Sequence, residues 1–293
     1  MTRPVALAAT RSAPLHTPPG PDEARQFAHT VRAIVARHAR PDRRLPDPWR
    51  PGAAVSDADA ALDDALREAG WDELGTDVQL LPLAAPAAAE LGRAFATLAP
   101  VDRLLGGALC VDGLARYAEE GGELVEPRAG LLLRASVGRP ELLPYTDALG
   151  VCTVSGLREP ELPAAGPRMA AWCAASTGYL AGLAEESLRL ALEHARSRHA
   201  FGGPLTALEP VQQSLADAAT LVDGLTLLTG AQPGADALAH AGEAAERAVA
   251  ICMQVTGALG FTLELPLQRA YRRGRSARSW ADAVLAAWER PAR

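Results

Sequence analysis

The spacing of apolar residues predicts a chain that is helical at both ends. In the first strongly patterned segment, Phe27, Val31, Ile34 and Val35 recur at intervals of three or four residues, which places them on one face of a helix. Similar patterns follow after a proline-rich stretch. The helices predicted in this half of the chain cover about 22–39, 57–69, 84–98 and 100–119.

The pattern changes between residues 120 and 166. The segments GLLLRAS and LGVCTVSG are short apolar runs rich in Leu, Val and Thr and bounded by Gly or Pro, which is typical of β-strands. Two to four strands fit into this stretch, which is too short for two full packed sheets. We therefore expect a reduced β region in the middle of the chain.

Helical signals return after residue 166 and continue through the rest of the sequence. The segment 168–199 is almost continuously apolar, which indicates a long helix buried among other helices. Further apolar stripes follow it, and Pro266 suits the first turn of a helix. The helices predicted here cover 168–199, 208–229 and 234–258, with a shorter one from Pro266 and a last one around 279–289. Together they predict a four-helix bundle with antiparallel neighbours.

These patterns predict a mainly α protein in four parts. The parts are a flexible arm, an N-terminal helical domain, a reduced β region and a C-terminal four-helix bundle. Their predicted bounds are 1–20, 21–119, 120–166 and 167–293.

Composition and charge narrow the possible functions. The formal net charge of −6 argues against a nucleic-acid partner, which normally requires a basic face. The cysteines Cys110, Cys152, Cys173 and Cys252 are far apart and lack metal-ligand spacing, so we expect buried, reduced thiols and no metal. No apolar run approaches the length of a membrane span, and the first residues lack the apolar core of a signal peptide. We therefore expect a cytoplasmic protein.

Two motifs in the last third of the chain are specific. The first, RHAFGGPL, begins at Arg198 and is followed by LEPVQ, which ends at Gln212. The second, QVTGALGFT, begins at Gln254. In order and spacing they resemble the acyl-CoA dehydrogenase motifs R-x-x-F-G-x-P-[IL], F-Q-x-V-Q-x-x-L-A-D and Q-x-x-G-G-x-G-[YF]-T. The resemblance is good over 167–275, weaker over 22–118 and poor between them.

The resemblance implies that FAD is the cofactor. In the family, an Arg after the long helix pairs with the flavin pyrophosphate, often across a dimer interface, and glycines let the backbone approach the same group. Glu209 replaces the first Gln of F-Q-x-V-Q and puts a negative charge near the phosphate site. Neither the Thr-Glu-Pro-like strand nor the Trp-x-Thr segment that covers the flavin ring in the family occurs in this sequence. The implied cofactor-binding residues are Arg198, Phe201, Gln212, Gln254, Gly257 and Ala258, the last in place of a second glycine.

The family's catalytic Glu has no counterpart at its usual positions. That Glu removes the α-proton of an acyl thioester, while the flavin takes the β-hydride. One family position, ten residues after the motif tyrosine at Tyr271, falls on Ala281. A second position, about 29 residues before the motif phenylalanine, falls on Trp172. Asp282 and Glu264 remain as candidate bases.

Among acyl-CoA dehydrogenases, the sequence is most similar to the Glu-lacking partner subunits of heteromeric enzymes. Those subunits carry G-F-T-W-E-x-x-L-x-x-x-x-R-R, and this chain has GFTLE followed by Arg272 and Arg273. The resemblance implies a subunit of a flavin-dependent α,β-dehydrogenase of an acyl thioester, carried on CoA or a carrier protein. It would form a homo- or hetero-oligomer with another such subunit. Two alternatives stay open: a flavin-free cyclase- or dehydratase-type enzyme of secondary metabolism, and a scaffold subunit without chemistry.

Overall fold

A computed structural model describes most of the chain. It covers residues 18–38, 57–118, 121–142, 149–157, 162–231, 233–262 and 264–290, with backbone only at 57–59, 137–142 and 149–157. Most of the predicted arm and the proline-rich stretch lie outside the described residues. The prediction of a mainly α chain with a small β region is confirmed.

The N-terminal helices follow the apolar spacing of the sequence. Helix α1 starts at a proline, and its first turn carries the acidic Asp22 and Glu23, which the helix dipole favours at that end. Its buried residues include Val31 and Val35, two members of the predicted stripe. The observed helices are α1 (Pro21–His38), α2 (Asp57–Glu68), α3 (Leu81–Arg93) and the short α4 (Ala99–Arg103).

The helix predicted over 100–119 is wrong beyond its first turn. After α4 the chain forms a hairpin of strands β1 (Ala108–Val111) and β2 (Leu114–Arg116). The two turn residues, Asp112 and Gly113, have φ values of 49° and 82°. Two successive positive φ angles end a right-handed helix, and they are the conformation that two-residue hairpin turns require.

Five strands of the described chain form a small closed barrel. The further strands are β3 (Glu123–Arg128), β4 (Leu131–Leu142) and β5 (Leu149–Leu157), and the order around the barrel is β1-β2-β5-β4-β3. Strands β1 and β3 are parallel, and the other neighbours are antiparallel. The strands predicted at GLLLRAS and LGVCTVSG are confirmed, and the three described strands between 120 and 166 fall within the predicted two to four. Strands β1 and β2, which precede this stretch, were not predicted.

The C-terminal helices form the predicted four-helix bundle. They are α5 (Ala165–Ser197), α6 (Glu209–Thr229), α7 (Ala235–Thr256) and α8 (Leu267–Glu289). Helix α5 contacts the other three as well as α3, which explains its almost continuous apolar sequence. The helices predicted from Pro266 and around 279–289 form one continuous helix, α8. Gly274 lies inside this helix, where it is buried and faces Leu183 of α5. Tertiary packing here outweighs the low helix propensity of glycine.

Close helix crossing and a shared turn join the parts of the chain. A Cβ at Gly178 would overlap the Ala85 carbonyl oxygen of α3, so only glycine permits this approach of α5 to α3. At the other side, the β3–β4 turn donates its Gly130 N–H to the Trp288 carbonyl at 2.8 Å, near the end of α8. The barrel therefore satisfies a carbonyl that the helix end leaves free. None of the described helices has the length and apolarity needed to cross a bilayer.

Candidate functional site

The implied cofactor residues lie at one end of the bundle. Neighbouring helices joined by short connections run antiparallel, so the α5–α6 turn and the α7–α8 turn lie at the same end. We call this end the turn end. It carries all the implied cofactor residues: Arg198, Phe201, Gln212, Gln254, Gly257 and Ala258.

The α5–α6 turn is a small hairpin that exposes an aromatic ring. Its strands are β6 (His199–Ala200) and β7 (Gly203–Pro204), and Phe201 and Gly202 between them have φ values of 53° and 87°. The Phe201 side chain is 93% exposed. Arg198 is exposed at the end of α5, where its carbonyl accepts the Leu205 N–H at 2.9 Å. The backbone thus holds the arginine and the ring at the surface.

The start of α6 is tied to this hairpin by a motif glutamine. Gln212 donates through Nε2 to the Thr206 carbonyl at 2.7 Å. Glu209 is exposed as the first residue of α6, where the helix dipole stabilises a carboxylate. The same N-terminus would attract a phosphate, so Glu209 opposes an anion at this place.

The α7–α8 turn presents open backbone. Gly257 ends α7 with φ 60° and ψ −142°, and its N–H donates to the Gln254 carbonyl. A Cβ at Gly257 would meet nothing within 4 Å, and Gln254, Gly257 and Ala258 are exposed. Phe261, a few residues on, is 65% exposed. An exposed arginine in one turn and accessible backbone in the other fit the diphosphate of FAD, with Glu209 as the feature that does not.

The two family base positions lie toward the opposite end of the bundle. Trp172 is in the third turn of α5 and Ala281 is in the second half of α8. Their exposures are 1% and 2%, so both are core residues. Neither side chain ionises at any ordinary pH. We call this the barrel end, because the β3–β4 turn contacts α8 there.

A buried ion pair lies between these helices at the barrel end. Arg116 of β2 donates through Nε to Asp102 Oδ2 at 2.7 Å and through Nη2 to Oδ1 at 2.5 Å. Trp172 donates its indole N–H to Asp102 Oδ1 at 3.2 Å. The Arg116 Cζ lies 5.1 Å from the Trp280 ring centre and 5.8 Å from that of Tyr117, within cation–π range. We call these five residues the Arg116 cluster.

The ion pair keeps Arg116 charged although it is buried. Burial by itself would lower the pKa of the Arg116 guanidinium, but the attraction and hydrogen bonds of Asp102 outweigh it and hold the pKa above its ordinary value. Arg116 and Asp102 are 2% and 1% exposed. Sequence reasoning missed both residues, because a helix was predicted over them and no motif includes them.

The remaining candidates lie outside this cluster. Asp282 is 59% exposed on α8, and its carboxylate lies 4.0 Å from Arg278 one turn earlier. Glu264 is exposed in the turn before α8. Tyr179 lies two turns after Trp172 on the same face of α5. It is fully buried and donates its hydroxyl to the Ala96 carbonyl at 2.6 Å. Among the residues described, no group of His, Cys, Asp and Glu could hold a metal ion.

Known sequences match the C-terminal half of the chain. Residues 170–232 and 234–281 match the family profile described as "Acyl-CoA dehydrogenase, C-terminal domain". The mitochondrial short-chain specific acyl-CoA dehydrogenase of Rattus norvegicus is 36% identical over 106 residues, which are 32% of this chain and 26% of that protein. The match therefore spans about a quarter of the relative's length.

Solved structures match the fold over most of the chain. A steroid ACAD, Tcur3481-Tcur3483, has a TM-score of 0.64 at 16% identity and covers 90% of this chain and 95% of its own. The ChsE4-ChsE5 complex of Mycobacterium tuberculosis has a TM-score of 0.62 at 15% identity and covers 92% and 95%. At this identity the likeness shows the fold alone. The chain is therefore similar to the C-terminal domain of acyl-CoA dehydrogenases in sequence over 170–281, and it has the fold of the solved acyl-CoA dehydrogenase structures over most of its length.

Proposed function

We propose that this chain is a subunit of a flavin-dependent α,β-dehydrogenase of an acyl thioester, and that it lacks the usual Glu base. It contributes half of a flavin site, with Arg198, to a second acyl-CoA dehydrogenase-like chain that carries the Glu. The observation that supports this proposal best is the contrast between the two ends of the bundle. The turn end keeps its motif residues exposed, whereas Trp172 and Ala281 at the barrel end are buried and cannot accept a proton.

The length of α5 supports a site shared between two chains. From Trp172 to Arg198 the helix advances by about 26 residues, or about 39 Å at about 1.5 Å per residue. Arg198 therefore lies far from the base positions of its own chain. An exposed arginine and ring at the turn end are placed to meet a cofactor held by a neighbouring subunit. The ChsE4-ChsE5 structure is a complex of two named components, which is compatible with such an arrangement.

The residues of the turn end suit the diphosphate of FAD. Arg198 supplies a charge that pairs with phosphate oxygens, and Gly257 leaves the backbone accessible at the same end of the bundle. Gln212 donates one Nε2 hydrogen to Thr206, which leaves its second Nε2 hydrogen and its Oε1 to meet a ligand. When bound, the flavin would supply the hydride acceptor of the reaction.

The visible absorption spectrum of the purified chain tests this proposal. The chain is expressed alone, and its spectrum, mass and size are recorded on the same sample. We expect no stoichiometric flavin. The chain is then purified together with an acyl-CoA dehydrogenase-like subunit that has the Glu, and we expect an oxidised-flavin spectrum and acyl-CoA oxidation in the mixture.

Two results would contradict the proposal. Stoichiometric flavin in the chain alone would mean that its cofactor site needs no partner subunit, and Asp282 and Glu264 would become the first candidates for a base. A complex that stays colourless, or a chain that joins no such subunit, would favour a flavin-free enzyme or a scaffold.

A further inference from the structure

We infer that the Arg116 cluster closes the acyl pocket of this chain, so that the substrate's acyl group is bound only by the partner subunit. This inference rests on the proposed function and names which chain of the complex takes the substrate. The residues that carry it are Arg116 and Asp102, which form the ion pair, and Trp172, which fills one of the family's base positions.

The cluster brings together four separate elements at the place where a base would be needed. Asp102 comes from α4, Arg116 from β2, Trp172 from α5 and Trp280 from α8. Trp172, at one base position, bonds to the ion pair, and Trp280, which contacts Arg116, directly precedes the other position at Ala281. All four side chains are at most 7% exposed. Protein atoms therefore occupy the space between α5, α8 and the barrel.

The Asp102 carboxylate lies next to the base position at Trp172, but three N–H groups hold its oxygens. It accepts N–H groups from Arg116 at 2.7 and 2.5 Å and from Trp172 at 3.2 Å. These charge-assisted bonds lie inside a buried site, and without the carboxylate Arg116 would be buried without its counter-ion. A carboxylate in this position stabilises the closed arrangement.

The guanidinium is enclosed as well as neutralised. Arg116 Nη1 has no hydrogen-bond acceptor among the described residues, and the Trp280 and Tyr117 rings flank the group at 5.1 and 5.8 Å. The faces of these rings compensate the cation where a polar ligand atom would otherwise be needed. This arrangement favours a packed core over an open pocket.

Binding of butyryl-CoA to the purified chain tests the inference. We expect no binding to the natural chain by isothermal titration calorimetry up to about 1 mM, the range of very weak ligands. Trp172→Ala removes the largest ring next to Asp102 and should open a cavity on the order of 150 Å³, enough for a small apolar group. We expect this variant to gain butyryl-CoA affinity by at least ~10-fold over the natural chain.

Trp71→Ala is the matched control. Trp71 is also fully buried and also hydrogen-bonded, but its indole donates to the Pro100 carbonyl at 2.7 Å and not to Asp102. The same substitution there should give no gain in thioester affinity. If Trp172→Ala does not fold by circular dichroism, Trp172→Leu opens part of the same space and replaces it in the comparison.

The outcomes separate this inference from the proposed function. Binding of butyryl-CoA by the natural chain, or an equal gain in the Trp71 and Trp172 variants, would overturn the closed pocket. A folded Trp172 variant with no gain would overturn the role of the Trp172 ring. The flavin spectrum of the two-subunit complex is measured independently of butyryl-CoA binding. The proposed function can therefore fail while the pocket is found closed, and the pocket can be found open while the proposed function holds.

Discussion

Trp172 and Asp102 are 70 residues apart in sequence, and in the folded chain the indole N–H of one donates to the carboxylate of the other at 3.2 Å. This bond places a carboxylate from α4 beside a position where some family members carry their base on α5. The charge there is already balanced by Arg116, which reaches it from the barrel. The contact therefore joins the N-terminal helices, the barrel and the bundle through one buried group.

We predict that Asp102→Ala strongly destabilises the chain. It would leave the Arg116 guanidinium buried without its counter-ion, which typically costs about 3–5 kcal/mol of unfolding free energy. Urea unfolding followed by circular dichroism measures the change.

Two comparisons identify the cause of this loss. The double variant Asp102→Leu with Arg116→Met removes both charges and should recover most of the stability, because apolar residues of similar volume often replace a buried pair without loss. Glu193→Ala breaks the exposed pair with Arg189 and should cost less than about 1 kcal/mol. A double variant as unstable as the single one would show that packing, and not the unpaired charge, is responsible.

We predict that Gly182→Ala disrupts the contact of α5 with α3. A Cβ at this position would overlap the Ala89 carbonyl oxygen, which is backbone and cannot rotate away. Overpacking of a core typically costs about 1–3 kcal/mol, and an immovable neighbour puts this site at the upper end. Thermal unfolding measures the shift.

Gly224→Ala is the control for that experiment. Gly224 also lies inside a helix, but a Cβ there meets nothing within 4 Å. Alanine should therefore stabilise α6 by about 0.5–1 kcal/mol through its higher helix propensity. Equal losses at both positions would contradict the proposed role of the α3–α5 crossing.

The bundle was predictable because its information is local. The apolar stripe of α6 and the motif turns at Phe201 and Gly257 are continuous segments, and the structure forms each as one unit. The error over 100–119 also has a local cause. The pair Asp112-Gly113 is a hairpin signal, but the apolar residues around it equally match a helix, so the local pattern alone does not decide between the two.

The Arg116 cluster was not predictable in the same way. Its members come from four elements, and the strand that carries Arg116 was itself not predicted. A single Asp or Arg in an apolar stretch gives no sign of which residue, far along the chain, will neutralise it. Arg116 and Asp102 become partners only when the barrel packs against α5 and α8 in the folded chain.

We predict that Cys173 and Cys252 resist alkylation in the folded chain. Burial raises the pKa of each thiol from 9.0 to about 12, so the reactive thiolate is almost absent at ordinary pH. Iodoacetamide at about pH 8.5, near the pKa of a free thiol, should modify these cysteines only in concentrated guanidinium chloride, as read by peptide mass spectrometry. Rapid labelling of either thiol under native conditions would contradict its burial.

The same shift predicts how stability depends on pH. Well below pH 9 both thiols are protonated in the folded and in the unfolded chain, so they do not make the unfolding free energy depend on pH. Between about 9 and about 12 the unfolded chain loses these protons and the folded chain keeps them, so rising pH lowers the unfolding free energy. Cys173→Ala with Cys252→Ala should flatten this part of the stability profile relative to the natural chain.

Finally, we predict that Arg198→Ala leaves the chain stable but weakens flavin retention in the two-subunit complex. Arg198 is exposed at the end of α5, so its loss should change the unfolding free energy by less than about 0.5 kcal/mol. In the complex it would remove a charge-assisted bond to a phosphate, which is worth about 1.5–3 kcal/mol, or roughly a tenfold to hundredfold weaker affinity for FAD. Arg196→Ala removes another exposed arginine on the last turn of the same helix and is the matched control. The flavin released on dilution, measured by its fluorescence, should rise for the first variant and stay unchanged for the second. Equal release from both would mean that net charge, and not the position of Arg198 in the α5–α6 turn, holds the cofactor.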